Sequence, residues 1–154
     1  MAQPPDDLHD LAVAIESAAA GLVGTWLAAA DSAQTAVSAA QLRALSAVER
    51  RPGLSVAQLA TELGTIPSWA SRLCDRLEAD GYVERRASSA GRRQLQLHLC
   101  RDGHRLLAAI HERRREALRA ALAAMTAAER ASLLAGLLAF DRTSGAGRRR
   151  QPPG

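Results

Sequence analysis

The sequence predicts a mostly α-helical fold carrying one small β-hairpin. Three observations predict it. Apolar residues recur every three or four positions through most of the 154-residue chain, the spacing of one helix face. Three capping-box patterns mark helix starts: Ser38 with Gln41, Ser55 with Gln58, and Thr126 with Glu129. Finally, Gln94-Leu95-Gln96-Leu97-His98-Leu99 alternates polar and apolar strictly, as a half-buried strand does. Composition agrees. The chain is 47% hydrophobic but has only two Trp, one Tyr and one Phe, so its core must be Ala and Leu, which favour helices.

The start, with Asp6, Asp7 and Asp10, lacks the basic residues that open a secretory signal. Leu8, Leu11, Ile15, Ala19, Leu22 and Trp26 then form the stripe of one long amphipathic helix. The uncharged stretch between Glu16 and Asp31 is shorter than the roughly 20 apolar residues of a membrane span. No membrane partner and a cytoplasmic location are therefore expected. A short helix opens after Ser38 and runs through Leu42, Leu45 and Val48, and a turn is expected around Pro52-Gly53.

The next stretch organises the rest. After Ser55, Val56, Leu59, Ala60 and Leu63 share one helix face, and Gly64 supplies the left-handed stop. Pro67 suits the first turn of a second helix, expected to run to about Asp80 with Gly81 closing it. At about 100° per residue, Ala70, Leu73, Cys74 and Leu77 fall on one apolar face. Ser68, Arg72, Asp75 and Arg76 point the opposite way, with Trp69 and Ser71 on the flanks. Arginine grips guanine edges bidentately, and both hydroxyls and arginines bind phosphate. A merely solvated helix face is the alternative. The next residues weigh against it: a short strand at Tyr82–Arg86, turn residues from Ala87 to Gly91, then Arg92 and Arg93 before the alternating strand. An arginine-tipped hairpin suits a narrow minor groove. Helix, tight turn, helix, strand, arginine-bearing loop and strand together make a winged helix-turn-helix, a shape that places one helix in a DNA major groove.

PSWASRLCDRLEADGYVERR and GRRQLQLHLCRDG resemble the MarR family of bacterial transcription regulators. The family's proline-opened recognition helix with Ser-Arg and a later Leu falls on Pro67, Ser71, Arg72 and Leu77. Its Gly-hydrophobic-Val-x-Arg falls on Gly81–Arg85, its wing arginine on Arg93, and its Leu-Thr-x-x-Gly on Leu99–Gly103. Two positions depart. Gly91 replaces the wing aspartate that steadies the arginine, and Cys100 replaces the threonine that caps the next helix, a cap Asp102 is expected partly to supply.

After Gly103 a helix is expected to about Met125, with Leu106, Leu107, Ile110, Leu118 and Leu122 on its stripe and Arg113-Arg114-Arg115 charged. A last helix carries Leu133, Leu134, Leu137, Leu138 and Phe140. The chain is thus expected to divide into residues 36–101 as the winged DNA-binding unit, 1–35 and 102–141 as a helical dimerisation region, and 144–154 as a disordered basic tail. The resemblance implies a homodimer reading a pseudo-palindrome in double-stranded DNA, with half-sites about one helical turn apart. It also implies a repressor released by a small aromatic or phenolic ligand. Trp26 is the candidate wall for that ligand, with simple packing in a dimer core as the alternative.

Other classes fare worse. His9, His98, His104 and His111 fall in no metal or nucleophile motif, and His104 with His111 supplies only two ligands. No Gly-rich phosphate loop is present, so neither an enzyme nor a cofactor is expected. Cys74 faces inward and Cys100 lies in no activating motif, which favours packing over redox sensing. The net charge of +4 favours an anionic partner. A winged module that binds protein instead remains the second reading. Steep salt dependence of binding distinguishes DNA from that case.

Overall fold

Local signals place the helices. The structure, a computed structural model, describes residues 7–31, 37–87 and 95–148. Helix α1 spans Leu8–Asp31, α2 Ala39–Arg50, α3 Val56–Leu63 and α4 Pro67–Ala79. Strands β1 (Val83–Ala87) and β2 (Leu95–Leu99) precede α5 (Arg101–Ala123) and α6 (Ala127–Arg148). Ser38 and Ser55 each accept from the backbone N–H three residues on, and Gln41 and Gln58 each accept from the cap's own N–H. Thr126 and Glu129 make the same reciprocal pair, with the Thr126 N–H donating to the Glu129 carboxylate at 2.7 Å and the Glu129 N–H to the Thr126 hydroxyl at 3.3 Å. Such boxes satisfy amide groups that a helix start otherwise leaves bare. Gly64 ends α3 at φ 66°, the left-handed conformation that glycine adopts without strain.

The chain divides into two units, residues 1–115 and 116–154. In the first, α2, α3, α4, the hairpin and the start of α5 enclose one core. Leu45, Leu59, Leu77, Leu97, Leu107 and Ile110 are all fully buried. Each such side chain contributes roughly 1.5–3 kcal/mol relative to leaving it in water. The strands pair antiparallel, Val83 opposite Leu99 and Arg85 opposite Leu97. Strand β1 therefore starts one residue later than the sequence suggests. Leu97 and Leu99 point inward as the alternation requires, but Leu95 stays exposed at the open end of the hairpin.

The expected turn at Arg50–Leu54 does more than reverse the chain. Leu54 bridges to Leu97, with the Leu97 N–H donating to the Leu54 carbonyl at 2.8 Å and the Gly53 N–H donating to the Leu97 carbonyl at 3.0 Å. This third partner covers the backbone of β2 that β1 leaves unpaired. Gly103, in the first turn of α5, is buried against the hairpin root. A Cβ there would lie 2.3 Å from the Tyr82 carbonyl oxygen, so only glycine fits.

Three expectations need correction. Asp102 is the second residue of α5 and pairs with Arg105 at 3.4 Å, so it lies inside the helix rather than at its cap. It still complements the positive end of the helix dipole. Ser144 to Arg148, assigned to a disordered tail, continue α6. Gly145 and Gly147 each weaken a helix by only about 1 kcal/mol, and no proline intervenes before Pro152. The remainder of that tail lies outside the described residues. Lastly, Leu8–Ala29, with Glu16 inside it, is long and apolar enough by length and composition to cross a membrane, a test that the core helix of a soluble protein passes as well.

Within α1, Leu11, Ala19 and Leu22 are half-buried and Ala29 is buried, while Leu8, Val13, Ile15, Val23 and Leu27 are exposed. In the second unit, the end of α5 turns through Thr126 into α6, and Arg130 donates back to the Leu122 carbonyl at 3.3 Å. Leu134, Leu137, Leu138 and Phe140 on α6 are exposed.

Candidate DNA-binding surface

Helix α4 is set by its neighbours on both sides. Gly64 and Thr65 fold the α3 end back, the Thr65 N–H donating to the Ala60 carbonyl at 2.9 Å. Ile66 is the cap of α4 and has no side-chain bond to offer, but Pro67 at the first position needs none. Ala70, Leu73, Cys74 and Leu77 are buried, which fixes the rotation of the helix. Ser68, Trp69, Arg72, Asp75 and Arg76 are consequently exposed and Ser71 half-buried. Arg72 and Arg76 lie one turn apart, and among the described residues no ion pair or side-chain hydrogen bond engages either guanidinium. Two hydrated cations on one ridge can bind phosphates or guanine edges.

Asp75 on the same ridge does not stand open. Arg85 of β1 donates to Asp75 Oδ1 at 2.6 Å and to Glu78 Oε2 at 2.5 Å. The Asp75 hydrogen bond is the main cause that raises the Arg85 pKa above its ordinary value. Sequence patterns alone miss this clamp, because its signal there is faint: two carboxylates three apart on a helix, so on one side of it, and then an arginine in the next strand. Arg86 pairs with Glu84 on the opposite face of β1. The wing tip, with Gly91, Arg92 and Arg93, lies outside the described residues.

Burial pushes the Cys74 thiol up to about 11, and burial likewise raises Cys100. Among the described residues no three His, Cys, Asp or Glu side chains are placed to hold a metal ion. His111 lies 3.7 Å from Glu49 and joins α5 to α2.

Trp26, the candidate ligand wall, is 42% exposed. The Arg114 guanidinium sits 4.4 Å above the centre of its ring, a cation–π distance. Burial holds the Arg114 pKa below its usual value, and its Nε is buried with no hydrogen-bond partner among the described residues.

Comparison with known proteins agrees with this geometry. Residues 37–94 match the family model described as MarR family. The chain is 25% identical over 128 residues to an uncharacterized HTH-type transcriptional regulator, YfiV of Bacillus subtilis (strain 168), covering 83% of this chain and 76% of that one. It superposes on the crystal structure of RV1404 from Mycobacterium tuberculosis with a TM-score of 0.82 at 26% identity, covering 94% of this chain and 99% of that one. A MarR family protein of the same organism, RV2887, solved in complex with salicylic acid, gives a TM-score of 0.62 at 25% identity, covering 88% and 97%. The matching segment is the winged helix-turn-helix itself, which is similar to that of the MarR family of transcriptional regulators, and the likeness of fold extends over nearly the whole chain.

Proposed function

We propose that the protein is a cytoplasmic, homodimeric repressor that reads a pseudo-palindromic operator and is released from it by a small aromatic acid or phenol. The observation that carries the DNA reading is the exposed ridge of α4, with Arg72 and Arg76 beside Ser68, Trp69 and Ser71. In this reading the ridge enters the major groove, and Arg92 and Arg93 of the wing reach the adjacent minor groove. The exposed leucines of α1 and α6 support the dimer. A monomer that leaves so much apolar helix surface in water is unusual among soluble proteins. Two recognition helices related by a two-fold then meet half-sites about one turn apart. Support for the effector comes from Trp26 and Arg114, an aromatic plane with a partly desolvated cation stacked over one face, which suit a flat acid on the other face or at the guanidinium. A ligand there releases DNA only as far as it prefers one spacing of the two recognition helices.

The test is Arg72→Ala. Specific affinity should fall by roughly 1–3 kcal/mol in a gel-shift titration if Arg72 reads a base. Unchanged affinity, with helicity intact by circular dichroism, removes Arg72 from the interface.

A further inference from the structure

The exposed ridge of α4 carries acidic groups as well as basic ones. Arg72, Asp75, Arg76 and Glu78 all lie in two turns, and the Asp75 and Glu78 side chains are 58% and 42% exposed. Taken alone, the two arginines and two carboxylates would cancel. A phosphate backbone would meet a ridge with no net attraction for it. Arg85 changes this. It reaches from β1 to both carboxylates at once, while its own side chain is only 20% exposed. The planar fork of a guanidinium can hold two carboxylates in this way, where an ammonium is a single point charge.

We propose that Arg85 is a positioning residue for DNA binding: it covers Asp75 and Glu78, so that the α4 ridge meets DNA as a cationic surface. Arg85 itself does not touch the nucleic acid. This inference rests on the reading of α4 as the DNA-binding helix. A purely structural role would leave a different trace. Unmasked carboxylates repel phosphates through water, and salt screens that repulsion over about 10 Å at 0.1 M. The affinity lost on removing Arg85 is therefore salt-sensitive, whereas a loss from distorted shape is not.

The full chain and three variants test this: Arg85→Met, Arg85→Lys, and Arg85→Met combined with Asp75→Asn. The last keeps the net charge of the wild type. The probe is a labelled duplex that the wild-type protein enriches from a random-sequence pool. Arg85→Met should bind it about tenfold more weakly at low salt, with the deficit shrinking as sodium chloride is raised. The double variant should return to within about twofold of the wild type, and Arg85→Lys should fall between. A deficit that ignores salt, or a double variant as weak as Arg85→Met, overturns the proposal and makes Arg85 a shape determinant or a direct DNA contact. Wild-type affinity in Arg85→Met also overturns it. If the wild type enriches no duplex, the reading of α4 itself fails and this inference falls with it. Should Arg85→Met not fold, Asp75→Asn with Glu78→Gln decides: freeing the Arg85 charge should raise affinity severalfold, and a fall overturns the proposal.

Discussion

Leu59 of α3 and Leu137 of α6 are the same residue on two helices, yet one is fully buried and the other 45% exposed. The contrast extends to their regions. From Val37 to Ile110 nearly every large apolar side chain outside Ile66, Trp69 and Leu95 has found cover. On α1 and α6 apolar residues also recur at helical spacing, less sharply segregated to one face, and most of them face water. Periodicity alone therefore says that a helix has a face to bury and not what will bury it. In the central region the cover comes from neighbours a short loop away. For the terminal helices we read the cover as a second copy of the chain.

The sharpest break of this comparison is Leu59→Ala. It should cost roughly 2–5 kcal/mol at every protein concentration, seen as a lower urea midpoint with an unchanged slope. A small loss would mean that the central core is not closed within one chain. Gly103→Ala comes next. The added Cβ must displace the Tyr82 carbonyl, which also accepts from the Cys100 N–H at 2.9 Å. Overpacking of this kind costs about 1–3 kcal/mol, again independently of concentration. An unchanged melting temperature would show that the α5 start can slide away from the hairpin root.

Leu137→Glu acts on the other region and should behave differently. Wild-type melting should rise with protein concentration, as for any oligomer that folds and associates together. The variant should lose that dependence and sediment as a monomer, while still unfolding cooperatively. A variant that remains dimeric would move the interface off α6. The smallest effect concerns Trp26, which belongs to α1 but meets Arg114 of α5. In a Trp69→Phe background Trp26 is the only indole, and its fluorescence should be quenched on titration with salicylate or a related aromatic acid. If a compound releases DNA from the wild type while Trp26 emission stays constant, Trp26 lies away from the ligand and only packs.

Much of this protein was determined by its sequence taken locally. The capping boxes at Ser38, Ser55 and Thr126, the left-handed stop at Gly64 and the proline opening of α4 act within a few residues. Patterns of that reach are legible without a fold. The rotation of α4, and so the exposure of Arg72 and Arg76, comes from the four small or aliphatic residues that must face inward. Contacts between residues distant in the chain or in different elements were decided only by the tertiary structure. Gly103 looks like a helix interior position that wants a side chain, until the Tyr82 carbonyl is seen to fill the space. Leu54 reads as the end of a turn, until Leu97 arrives to bond with it. Arg85 reads as one more basic residue in a basic hairpin, yet its charge is taken up by Asp75 and Glu78. The physical reason is the same in each case. Dihedral preference and side-chain period are properties of a short segment, whereas steric fit and charge pairing belong to whichever groups the packed chain brings within a few ångströms.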